Sequence, residues 1–114
     1  MKVAIPTKSD KGLDDSVSEV FGKNENFVIV KIKSDDGTIL DSTVVKNLAS
    51  SYKHGSGPIT VKMLTDLNVD AVAGNEFGLG VSTLLEQNKI KKLKVKANTS
   101  VIKALNHIHT KLKK

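Results

Sequence analysis

Asp70-Ala71-Val72-Ala73-Gly74 is a short, nearly all-apolar run lying between two segments of helical periodicity. A strand with no polar face must be covered on both sides, as parallel strands in α/β sheets are. Its flanks supply the cover. Residues 58–67 place Ile59, Met63 and Leu67 at i, i+4 and i+8, with Pro58 suited to the first helical position and Asn68 as the stop. Residues 79–87 read as a second helix and 92–97 as a strand. Residues 99–112 read as a third helix whose buried stripe is Val101, Leu105, Ile108 and Leu112.

The first half has a different rhythm. Residues 2–6 form a short strand stopped by Pro6, and residues 26–33 and 38–46 are β runs joined through Ser34-Asp35-Asp36-Gly37, a strong hairpin signal. Between them a polar stretch holds one helical turn near residues 16–21, capped by Asp15 or Ser16. The order β-β-β-α-β-α-β-α predicts one α/β domain over residues 1–114, a ribonuclease-H-like mixed five-stranded sheet of order 3-2-1-4-5 with three helices. With the first strand central, the connections leaving strands 1 and 4 diverge. Ligands in open α/β sheets bind at such a reversal, outside the carboxyl ends of the strands.

Composition removes several chemistries. The 114 residues contain no Cys, which excludes a disulfide scaffold, a thiol nucleophile and thiolate-held zinc or iron–sulfur sites. No apolar run approaches the ~18 residues of a membrane span, and no signal-peptide pattern opens the chain, so a cytoplasmic location and no membrane partner are expected. All 18 basic residues are Lys, and residues 87–114 hold nine of them with no acid, while residues 1–86 hold nine with all twelve acids. Lysines alternating with Leu93, Val95 and Ala97 suit a protected sheet edge. A nucleic-acid partner is disfavoured, because there is no Arg and the four aromatics, Phe21, Phe27, Tyr52 and Phe77, all precede the basic segment.

Two glycine-rich loops precede helices at the switch point. His54-Gly55-Ser56-Gly57-Pro58 is either an ordinary strand-to-helix loop or a cradle in which backbone N–H groups hold an anion and His54 ligates metal or moves a proton. Gly74-Asn75-Glu76-Phe77-Gly78-Leu79-Gly80 repeats the arrangement without meeting a nucleotide-binding motif, and Glu76 would work against an anion unless it points outward. His107 and His109, two apart on a helix, face different sides and read as solvated. No nucleophile–His–acid set is evident, and Val3-Ala4-Ile5 stands where ribonuclease H carries its first-strand carboxylate, so the chain reads as non-enzymatic.

Residues 2–7, Gly12-Leu13-Asp14-Asp15-Ser16-Val17-Ser18 with Phe21-Gly22, His54 to Pro58, and residues 67–74 together resemble the dinitrogenase iron-molybdenum cofactor biosynthesis family, in family order over about residues 1–108. The resemblance implies a ribonuclease-H-like fold and carriage of iron-molybdenum cofactor or another molybdenum, iron or copper sulfide cluster. It also implies a cofactor-assembly or acceptor protein as partner. Where carrier members read His-Phe-Gly-Arg this chain has Val20-Phe21-Gly22-Lys23, and Phe77-Gly78-Leu79-Gly80 lacks the usual Gly-Pro. Val20 cannot ligate metal, which leaves His54 as the metal-ligand candidate.

The leading expectation is a small binding protein holding an anionic cluster or related ligand. Its cofactor-binding residues would be Thr7, Lys8, Lys23, His54, Gly55, Ser56, Gly57, Asn75, Phe77, Gly78 and Gly80. The alternative is a cofactor-free interaction module that docks an acidic protein or nucleic acid through its Lys-rich C-terminal region.

Overall fold

The computed structural model describes residues 1–52 and 56–112, the last without its side chain; His54 and Gly55 lie outside the described residues. Five strands, β1 (Lys2–Thr7), β2 (Asn26–Ile32), β3 (Ile39–Lys46), β4 (Ala71–Gly74) and β5 (Lys91–Lys94), form one sheet of order β3-β2-β1-β4-β5. This is the expected topology. β1 runs antiparallel to β2, with Val3 opposite Val30 and Ile5 opposite Val28, and parallel to β4, with Val3 opposite Ala71. The outer pairs are β2 with β3, antiparallel, and β4 with β5, parallel.

Alternation along the strands builds two cores. Val3, Ile5, Val28, Val30 and Ile32 point to α3 (Val101–Leu112) and meet Val101, Ala104, Leu105 and Ile108. Ala4, Phe27 and Val72 point the other way, toward α1 (Ser56–Asp66) and α2 (Leu79–Gln87), and pack with Val61, Leu64 and Leu85. β4 is buried along its whole length, as its apolar sequence requires. The buried stripe of α3 gains Ala104, and the Leu112 side chain lies outside the described residues.

Three local expectations are corrected. Residues 16–21 are not helical. A 3-10 turn at Gly12–Asp14 precedes them, and Val17 is extended, because its N–H donates to the Thr99 carbonyl (2.8 Å) and its own carbonyl accepts from Asn98 (2.9 Å). Asp15 therefore caps a loop rather than a helix, its carboxylate accepting the N–H groups of Ser9, Lys11 and Ser16. The fifth strand ends at Lys94 rather than Ala97. Its partner β4 stops at Gly74, whose carbonyl takes the last inward bond, from Val95. His107 is exposed, but His109 is not solvated: its ring lies over Gly37, and its Nε2 is buried without a hydrogen-bond partner.

Candidate functional site

The carboxyl ends of β1 and β4 lie side by side where the strand order reverses. The turn Phe21-Gly22-Lys23 is fixed there by three buried polar side chains from separate segments. Asn47, 1% exposed, donates through Nδ2 to the carbonyls of Gly22 (3.1 Å) and Asn24 (2.8 Å). Its Oδ1 accepts the Ala49 N–H, and the Thr60 hydroxyl on α1 lies 3.2 Å from both that Oδ1 and the Gly22 carbonyl. Asn24 accepts the Gly22 N–H through Oδ1 at 3.0 Å and donates to the Asn26 carbonyl at 2.7 Å. Gly22 has φ +108°, a conformation that a side chain would strain. Every partner in this network is satisfied from within the chain, so the turn is held against the start of α1 as a rigid element.

Aromatic packing joins this turn to the loop after β4. Phe21 packs edge-on against Phe27, centroids 5.5 Å apart, and is tilted against Phe77 at 5.1 Å. Phe77 fits because Gly74 has no Cβ; one would lie 3.0 Å from the ring. α2 then begins with Gly78 as N-cap, extended and without a side-chain hydrogen bond to the first-turn N–H groups. Leu79 is 89% exposed, and a Cβ at Gly78 or Gly80 would meet nothing within 4 Å. The amino end of α2 is therefore an open, uncapped donor surface.

The expected site residues separate into groups. Asn75, Phe77 and Gly78 line a hollow of about 400 Å³ together with Glu76, Ser82, Lys92 and Lys94, and Gly80 sits beside it on the first turn of α2. Ser56 and Gly57 begin α1, and a Cβ on Gly22 would lie 3.9 Å from Ser56 Oγ and from Gly57 Cα, while Lys23 is exposed on the same turn. The Phe21–Phe77 contact bridges these two groups. Thr7 is buried, and its hydroxyl donates to the Ser9 carbonyl at 2.9 Å. Lys8 hydrogen-bonds Asn98 ahead of α3 rather than either group. Gly57 serves packing: its Cβ would stand 2.8 Å from Val81 Cγ2.

Sequence reasoning did not single out Asn24, Asn47 and Thr60, which hold the Gly22 turn, nor did it join Lys92 and Lys94 to the loop after β4. Among the described residues no group of three or more His, Cys, Asp or Glu is placed to hold a metal ion. The start of α2 presents backbone N–H groups, and Lys92 and Lys94 bring ammonium groups to the hollow beside it. Lys92 is partly engaged by Glu86 at 3.0 Å, whereas Lys94 has no ion-pair partner among the described residues.

Residues 1–111 match the family model described as dinitrogenase iron-molybdenum cofactor. The uncharacterized protein MJ0580 of Methanocaldococcus jannaschii is 28% identical over 102 residues, covering 90% of this chain and 79% of its own length. The apo form of the orange protein from Desulfovibrio gigas superposes with a TM-score of 0.84 at 21% identity, covering 97% of this chain and 88% of that one. A putative NifB protein from Thermotoga does so at 0.73 and 27%, covering 96% and 87%. The crystal structure of PH0822 gives 0.80 and 19%, covering 97% and 92%.

Proposed function

Because this chain belongs to the dinitrogenase iron-molybdenum cofactor family, we propose that it is a non-enzymatic carrier of an anionic metal–sulfur cluster, taken as cargo at the open start of α2. The observation that carries the reading is the uncapped α2 amino end, flanked by glycines with no neighbour in reach and adjoining a hollow that holds Lys92 and Lys94. First-turn N–H groups donate to cluster sulfides or carboxylates, aided by the positive end of the helix dipole. Asn75 adds a neutral polar contact, Phe77 gives the hollow a firm floor, and Lys94 and Lys23 balance charge. Ser56 and Gly57, at the start of α1 across the Phe21–Phe77 contact, position the Gly22 turn and the first turn of α2 rather than line the hollow. Thr7 and Lys8 shape the loop behind it rather than touch cargo. Side-chain ligation of metal falls to His54, and the cargo's donor or acceptor is a cofactor-assembly protein.

The test mixes purified protein with tetrathiomolybdate and copper(I) and follows visible absorbance through gel filtration. Colour co-eluting with the protein supports the carrier reading, and colour eluting entirely apart from it overturns that reading. A His54→Ala variant that binds equally well removes only the metal-ligand role of His54.

A further inference from the structure

We propose that the free edge of β5 and the adjoining face of α3 form a docking groove for an extended acidic segment of a partner protein, which joins the sheet as a sixth strand beside β5. β5 is an edge strand. Lys91 and Val95 donate their N–H groups inward, to the carbonyls of Asp70 (3.0 Å) and Gly74 (2.9 Å). Strand alternation therefore turns the N–H and C=O groups of Lys92 and Lys94 outward, to the unpaired side. A second strand satisfies them; a phosphate chain, which only accepts, would leave the carbonyls unmatched.

The groove beside that edge is cationic along its length. On α3, Lys103, His107 and Lys111 recur at i, i+4 and i+8, all exposed, and so share one helix face. With Lys94 and Lys96 they line a hollow of about 520 Å³. Lys111 also borders a second hollow of about 610 Å³, formed with Lys89, Lys91 and Lys92 at the start of β5. Across both hollows seven lysines face one carboxylate, Glu86, which already pairs with Lys92 at 3.0 Å. Among the described residues Lys94, Lys96, Lys103 and Lys111 form no ion pair.

Charge selects the occupant. A second copy of β5 would set lysine against lysine and is repelled, whereas a strand rich in Asp and Glu is matched on both faces. No Phe, Tyr, Trp or Arg side chain lines either hollow, and His107 is the one ring among the lining residues, so there is no platform for stacking successive bases and no bidentate phosphate contact there. The α3 lysines lie on the other face of the sheet from α1 and α2, whereas Lys92 and Lys94 also border the cargo hollow, so Lys103 and Lys111 are the positions that test docking apart from cargo.

The experiment uses the full chain with three fluorescein-labelled probes: a peptide of alternating Glu and Val, the same peptide N-methylated on alternate residues, and oligothymidylate. Fluorescence anisotropy at low salt reads affinity, and amide exchange reads the edge. The expected result is that the unmodified peptide binds, slows exchange at the Lys92 and Lys94 amides, and weakens with added salt. The N-methylated peptide, and the Lys103→Glu/Lys111→Glu variant confirmed folded by circular dichroism, should each lose about tenfold or more in affinity. The proposal is overturned if the N-methylated peptide binds equally well, if Lys92 and Lys94 exchange unprotected in the wild-type complex, or if oligothymidylate binds more tightly than the peptide.

Discussion

A methyl group on Gly57 would lie 2.8 Å from Cγ2 of Val81, so the first turns of α1 and α2 meet at a point where only hydrogen fits. Gly57→Ala is expected to destabilise the fold by about 1–3 kcal/mol through overpacking. Adding Val81→Ala should recover part of the loss. Thermal unfolding of the two single variants and the double variant checks the coupling, and additive losses would contradict the contact.

Gly78 and Gly80 predict the opposite sign. A Cβ at either position meets no protein atom within 4 Å, and Gly80 lies inside α2. Gly80→Ala should therefore raise stability by about 0.5–1 kcal/mol from helix propensity and the unfolded-chain entropy it removes. If cargo approaches the backbone there, the same methyl group will reduce co-elution of thiomolybdate–copper colour. Higher melting temperature with weaker binding is the diagnostic pair.

Glu76 lines the same hollow as Lys92 and Lys94. Its carboxylate opposes an anion, so Glu76→Gln should tighten thiomolybdate binding by about threefold to tenfold, the range expected for one unit charge at the protein–water boundary. Titration at low and high salt measures this, and the gain should shrink as salt rises.

Asn47→Ala removes a buried side chain that bonds the carbonyls of Gly22 and Asn24 and accepts from Ala49. The stranded groups should cost about 2–4 kcal/mol, counting several lost partners at the usual cost of each. Amide exchange should accelerate at Gly22 before it does in the sheet, since the clamp on that turn is what has been cut.

Asp36 supplies a pH dependence. The Thr38 backbone N–H, then the Thr38 hydroxyl and the Lys33 charge, hold its carboxyl below the ordinary carboxylate value. A carboxyl with a lowered folded-state value binds its proton less readily folded than unfolded. Its contribution is therefore complete above the unfolded value and lost as pH falls through the folded one. Wild type should exceed Asp36→Asn in stability near neutral pH, with the difference closing in acid; urea unfolding across that range reads it.

Elements whose form is settled locally were legible in the sequence. α2 occupies the expected residues 79–87, and β4 lies within its predicted run, because apolar burial and helical spacing are written into consecutive residues. Where distant partners decide, reading the chain fell short. Val17 is extended because Thr99 and Asn98 bond it, and β5 ends early because Gly74 ends β4. The same holds for the site. Glycines at 57, 74, 78 and 80 carry one signal in sequence and three uses in space: helix packing, room for Phe77, and open surface. The Asn24, Asn47 and Thr60 clamp draws on three segments, each unremarkable alone.

The pairing of Val17 with Thr99, and of Ser16 with Ser100, also orders events during synthesis. The sheet face under α1 and α2 is complete in residues that emerge earlier, whereas the opposite face must wait for the final helix and for a loop spanning most of the chain to close. On the ribosome, Val3, Ile5, Val28 and Val30 stay bare until then. A chain shortened before α3 is thus expected to leave this apolar sheet face uncovered.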